Sequence, residues 1–141
     1  MDKDFDKQEQ RIESVFPKRI NDISKQTKTL DIYKRFLEKN LDFPVKLTGI
    51  EDFNWEEFYI FGPGDKKEYE ELKKTRPSYK DIYNLTRIDD HIEEDYGLFV
   101  KVTRISDRKR FQIPLADLKA VDEKSKNYQL LDDYSVWCVN Y

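Results

Sequence analysis

From Leu98 to Ile113, apolar side chains fall on alternate positions: Leu98, Val100 and Val102, then Phe111 and Ile113 after the polar turn 106–109. Alternation of period two puts one face of an extended chain in a core and the other in water. Two such runs joined by a short polar turn make an antiparallel hairpin, which commits this half of the chain to a half-buried sheet. Residues 97–105 give the strongest strand. Residues 114–118 (Pro-Leu-Ala-Asp-Leu) form a tight 3₁₀ corner into a last strand at 119–121.

Other strands are expected at 45–50, 57–61 and 83–88. The helix before them starts near Thr29, a favoured N-cap residue, and carries Ile32, Tyr33, Phe36, Leu37 and Leu41 on one face. It ends about Asn40, before Pro44. Asp65, with Glu68 three positions on, opens a short inserted helix with Tyr69 and Leu72 inward, which Pro77 closes. Leu130, Tyr134, Trp137 and Tyr141 mark a C-terminal capping helix. The arm 1–28 reads as a polar helix to residue 16, stopped by Pro17, then a weak helical pattern through Ile20 and Ile23. The expected fold is α+β: an SH3-like small β-barrel or bent antiparallel sheet, with N-terminal helices, one inserted helix and a C-terminal helix. The expected organisation is an arm, 1–28, on a single domain, 29–141.

The composition sustains a core. Charged residues make up 39% of the chain against 38% hydrophobic, yet nine Phe, nine Tyr and two Trp supply large buried areas. A net charge of −3 gives no global field for nucleic acid or acidic membranes. No run approaches the roughly 20 apolar residues that cross a bilayer, and no signal peptide opens the chain, so the expected location is the cytoplasm. Cys138 is the single cysteine, in an apolar run that favours a buried, inert thiol.

Catalytic templates fail. His91 is the single histidine, which removes zinc sites built on several His and Cys ligands, and no Gly-x-Ser-x-Gly elbow accompanies it. Gly62-Pro63-Gly64-Asp65 lacks the Lys-Ser/Thr ending of a phosphate loop. Glu56 and Glu57 are adjacent and, on a strand, would point to opposite faces. No enzymatic activity is expected. Lys101, Arg104, Arg108, Lys109 and Arg110 cluster on the second hairpin with Phe99 and Phe111, a pattern that suits a soluble edge or a partner-docking patch better than nucleic acid.

The run 89–95 is different. Asp89, Asp90, Glu93, Glu94 and Asp95 place five carboxylates in seven positions between two strands. Ca²⁺ takes six to eight oxygen ligands and relieves such crowding. The same run also suits a solvated turn. It is no EF-hand: with Asp89 first, the required glycine falls on Glu94 and the closing glutamate on Val100. A calcium site here must gather ligands from more than one segment, and Glu38 and Asp42 at the end of the long helix are the natural second contributors.

Several motifs occur together: Leu37-Glu38, Leu41-Asp42-Phe43-Pro44, Gly97-Leu98-Phe99-Val100, Ile113-Pro114-Leu115-Ala116-Asp117-Leu118, Val121-Asp122, and Asp132-Asp133-Tyr134 with Trp137. Their order and spacing over residues 30–141 resemble a small family of bacterial cytosolic calcium-binding proteins, cyanobacterial in type. The resemblance implies reversible, non-EF-hand Ca²⁺ binding without catalysis. The family's acidic pair after the helix leucine is here Glu38-Lys39, and the segment 52–77 exceeds the family's short connector. The rival reading is a protein-interaction module (an adaptor, inhibitor or immunity-type partner) with Trp55, Phe58, Tyr59 and Tyr79 as anchors.

Overall fold

The computed structural model describes residues 3–88 and 91–141. The elements run α1 (Lys3–Ser14), α2 (Thr27–Asn40), β1 (Val45–Gly49), α3 (Asn54–Ile60), α4 (Lys66–Leu72), β2 (Tyr83–Leu85), β3 (Ile92–Glu93), β4 (Gly97–Arg104), β5 (Arg110–Pro114), a 3₁₀ turn (Leu115–Asp117), β6 (Leu118–Ala120) and α5 (Lys126–Asn140). All strand pairs are antiparallel. β4 organises the six-stranded sheet: β5 pairs with it from Phe99 to Thr103, β3 meets its first residues and β2 its last. β1 then bridges β2 and β6. The architecture is α+β, as the sequence predicts.

The alternation works as expected. Leu98, Val100 and Val102 are buried in β4 while Lys101 is exposed, and Ile113 joins them from β5. Leu30, Tyr33 and Leu37 of α2 and Tyr134 and Trp137 of α5 cover this face. The Tyr33 ring lies 4.9 Å from Trp137 and 5.2 Å from Tyr134, within the range of favourable aromatic pairs. The expected α5 stripe holds at Tyr134 and Trp137, while at its start Leu131 is fully buried and Leu130 only partly so.

Three expectations need correction. Residues 57–61 are not a strand: they belong to α3 and its C-terminal end. Aromatic residues favour strands only where a pleated surface receives them, and here the i, i+4 spacing stacks Trp55 and Tyr59 with Tyr69 of α4. The Glu56 carboxylate, fully buried, locks this unit by accepting from Tyr69 Oη (2.6 Å), Tyr79 N (2.8 Å) and Ser78 Oγ (3.0 Å).

The pattern through Ile20 and Ile23 is likewise not helical. That segment is irregular, and Trp137 Nε1 donates to the Ile23 carbonyl (2.7 Å). Finally, α2 starts at Thr27 instead of being capped by Thr29. Thr29 Oγ1 still ties the start from inside the first turn, accepting from Gln26 N (3.0 Å) and donating to the Ser24 carbonyl (2.6 Å).

The N-terminal arm packs on α5. Ile12 and Phe16 are buried, and Arg11 makes a two-pronged ion pair with the nearly buried Asp133 (2.8 and 3.0 Å). None of the described helices is long and apolar enough to cross a membrane.

Candidate metal centre

The part of the acidic run from Glu93 to Asp95 lies in the β3–β4 hairpin. Ile92 pairs with Leu98 and Glu93 with Gly97, and Tyr96 N closes the turn onto the Glu93 carbonyl (3.1 Å). Gly97 follows at φ +84°, the left-handed geometry that three-residue hairpin loops require. A side chain there would also collide: a Cβ on Gly97 would lie 2.6 Å from Tyr134 Oη and 2.7 Å from Cys138 Sγ. The hairpin is thereby pressed against α5, and Tyr134 Oη accepts from Leu98 N (2.8 Å).

The hairpin tip reaches the N-terminus of α2. Glu94 Oε1 accepts from Thr27 Oγ1 (2.7 Å) and Thr27 N (3.1 Å), while Lys25 Nζ donates to the Asp95 carbonyl (2.8 Å). The first turn of α2 has no acid of its own, so Glu94 supplies the negative charge its dipole favours. The Thr27 hydroxyl, then its amide, hold the Glu94 carboxyl below the usual range. Glu93 is exposed beside His91 (3.1 Å), and the Asp95 side chain faces solvent. Asp89 and Asp90 lie outside the described residues.

Glu38 and Asp42 lie at the other end of α2 from Glu94. Eleven residues of helix separate Thr27 from Glu38, about 16 Å at ~1.5 Å per residue. Calcium ligands lie within about 2.6 Å of the ion, so no single ion can take both ends of α2. Glu38 pairs with Lys34 (3.3 Å). Asp42 exchanges backbone hydrogen bonds with the Asn127 side chain (both 2.9 Å). Among the described residues, no three His, Cys, Asp or Glu side chains are placed to hold a metal as they stand.

A second acidic region was not legible in the sequence. Glu51, Asp52, Glu57, Asp117 and Asp132 line a groove of about 380 Å³ between the β1–α3 connection, the 3₁₀ turn and α5. Burial, then the charge of Glu51, pushes the Asp117 carboxyl up. Glu57 faces this groove while its neighbour Glu56 is buried, so the pair forms no acid–base couple. These residues are up to 81 positions apart in the chain, and no local spacing signals their meeting.

The remaining candidates resolve simply. Burial raises the Cys138 thiol, the opposite of what a nucleophile needs. Arg104 is buried, so it is not part of a surface basic patch; its guanidinium lies 4.9 Å over the Phe111 ring.

A family model described as "Calcium binding", that of CcbP, matches residues 65–138, just over half of the chain. The chain belongs to the CcbP calcium-binding family. The match takes in the whole β3–β4 hairpin, β5, the 3₁₀ turn and most of α5. Two solved structures share the fold. The crystal structure of Anabaena CcbP is 16% identical, with 94% of this chain and 89% of that one aligned at a TM-score of 0.59. A calcium binding protein in its calcium-binding form is also 16% identical, with 95% and 90% aligned at 0.57. At that identity the likeness speaks for the fold alone. No curated protein matches the chain. As a CcbP-family protein, this chain has Ca²⁺ as its ligand.

Proposed function

We propose that this CcbP-family protein is a bacterial, cytoplasmic and non-catalytic Ca²⁺ binder whose ion sits at the β3–β4 hairpin, on carboxylates drawn from Asp89, Asp90, Glu93, Glu94 and Asp95. The family match carries this reading, because it spans the hairpin in full. Five carboxylates there outnumber the single ion pair among the described members, His91 with Glu93.

The likeness to an SH3-like small barrel is also ours. It is supported by the strand path β6-β1-β2-β4-β5 and by the 3₁₀ turn that carries β5 into β6.

The test is a variant with Glu93→Gln, Glu94→Gln and Asp95→Asn together. Calcium heat in a calorimetric titration should vanish or fall at least tenfold in affinity, because neutral amides no longer offset the dehydration of the ion. The metal-free variant should melt slightly below the parent despite losing like-charge repulsion, since α2 loses the carboxylate at its N-terminus. An unaltered titration would move the ion elsewhere, with the acidic groove and then Glu38 and Asp42 next.

The interaction-module reading is favoured by one observation, the exposed Phe58 (53%) and Phe61 (78%) around α3. The other expected anchors are engaged internally: Trp55 Nε1 donates to the Pro77 carbonyl (2.7 Å), Tyr59 stacks on Tyr69, and Tyr79 is half-buried. A stoichiometric partner recovered equally with and without chelator, and lost on Phe61→Asp, would support it.

A further inference from the structure

The groove at the β1–α3 connection combines two properties that seldom occur together on a surface. It is lined by Ile50, Phe53, Val136 and Val139, of which Ile50 is 45% and Val139 75% exposed. Around them stand five carboxylates and no lysine or arginine. Elsewhere several exposed acids are matched: Asp31 by Arg35, Glu70 by Lys73, Glu71 by Lys74 and Glu123 by Lys119. Among the described residues, Glu51, Asp52, Glu57 and Asp117 have no cationic partner. The last turn of α5, which closes the groove with Val136, Val139 and Asn140, carries no basic residue, so its free carbonyl ends add negative potential.

We propose that this groove docks a basic amphipathic peptide segment of a partner protein, with Lys or Arg side chains on the carboxylates and apolar side chains on Ile50, Val136 and Val139. Charge complementarity selects the sign of the partner. The exposed apolar lining selects its kind. An inorganic cation would use the carboxylates and leave Ile50 and Val139 in water, whereas a purely apolar partner would bury four carboxylates without a counter-charge, which is costly. A basic amphipathic helix or strand meets both demands at once. The groove is remote in sequence from the hairpin carboxylates, and the proposal requires only that calcium does not occupy the groove itself.

The full chain is titrated, at about 0.15 M salt so that long-range attraction is screened, with a fluorescent synthetic helix bearing Lys on one face and Leu on the other. Oligolysine and a Leu/Glu helix of the same length are run beside it. Saturable binding of the Leu/Lys helix alone is expected. Glu57→Lys sets like charge against like charge, and Val139→Ser removes an apolar contact without changing the charge. Both are at exposed positions that leave the fold intact, and they should weaken binding about tenfold and severalfold respectively. The hairpin triple variant should bind it as the parent does, which separates this result from the calcium reading. Equal binding of oligolysine, unchanged affinity in both groove variants, or competitive displacement of the helix by Ca²⁺ in the hairpin variant would each overturn the proposal.

Discussion

Replacing Gly97 with alanine should cost this protein about 3 kcal/mol, from left-handed backbone strain of about 1–2 kcal/mol plus overpacking of about 1–3 kcal/mol. For a domain of this size that is a fall of about 10 °C in melting temperature. The backbone at Gly97 has φ +84°, and the new methyl would meet Tyr134 Oη and Cys138 Sγ at distances no Cβ tolerates. Neither neighbour can retreat, because both lie buried on α5 and Tyr134 holds the Leu98 amide. A double variant with Tyr134→Phe removes one of the two clashes. The cost of Gly97→Ala should therefore be smaller in that background but not vanish, a coupling that equilibrium urea denaturation measures directly. A cost below about 1 kcal/mol would mean that the hairpin shifts freely over α5. That would also release Glu94 from the end of α2, so calcium affinity should be measured on the same variant.

Arg104→Met should cost about 1–3 kcal/mol, the range for leaving buried acceptors short of a donor, because the acids it releases are partly exposed and can be solvated. The Arg104 guanidinium donates to both Asp107 oxygens (3.0 and 2.7 Å), to Asp81 (2.9 Å), and to the carbonyls of Lys73, Lys74 and Arg76 (2.9, 3.0 and 2.9 Å). It ties the end of the α3–α4 insert to β4. Methionine fills similar space but donates nothing. Asp81 keeps Ser78 N, Asp107 keeps Lys109 N and the Lys74 carbonyl keeps Lys109 Nζ, while the carbonyls of Lys73 and Arg76 lose the guanidinium. Local opening of residues 73–81 in hydrogen exchange should therefore accompany the loss.

The same network fixes an acid dependence. The Arg104 hydrogen bonds, outweighing partial burial, hold the Asp107 carboxyl down at about 2 against an ordinary 3.8. A depressed carboxyl contributes stability that is fully present above its unfolded value and is lost as pH falls through its folded one. Parent stability should therefore decline between about pH 4 and pH 2 from this source. In Arg104→Met that share of the decline should be absent. A thermal melt series over this window in both proteins checks it.

The elements that could be read from the sequence are those whose signal is local. The alternation of Leu98, Val100 and Val102, the helical face of Tyr33 and Leu37, the Asp65 cap of α4 and the 3₁₀ corner at Leu115 all follow from neighbours within a few positions. The misread elements depend on distant partners. α3 is helical because Glu56 finds donors on Tyr69, Ser78 and Tyr79, which a window over 57–61 cannot reveal. The N-terminal arm is placed by Asp133, more than a hundred residues away from Arg11. For the site, the crowding of carboxylates at 89–95 was visible, but the capping of α2 by Glu94 was not, and neither was the helix length that separates Glu94 from Glu38 and Asp42. The acidic groove was hidden for the same reason: its carboxylates meet only once β1, the 3₁₀ turn and α5 are packed together.

Calcium binding at the hairpin is most directly tested by calorimetric titration of the full chain with Ca²⁺, followed by thermal melts at the same concentrations. Saturable heat is expected, together with a melting temperature that climbs with free Ca²⁺. A ligand that binds only the folded state adds about 2.7 kcal/mol at a hundred times its dissociation constant. Both responses should be lost in the variant carrying Glu93→Gln, Glu94→Gln and Asp95→Asn. No heat and no thermal shift at millimolar Ca²⁺ in the parent protein would contradict the account.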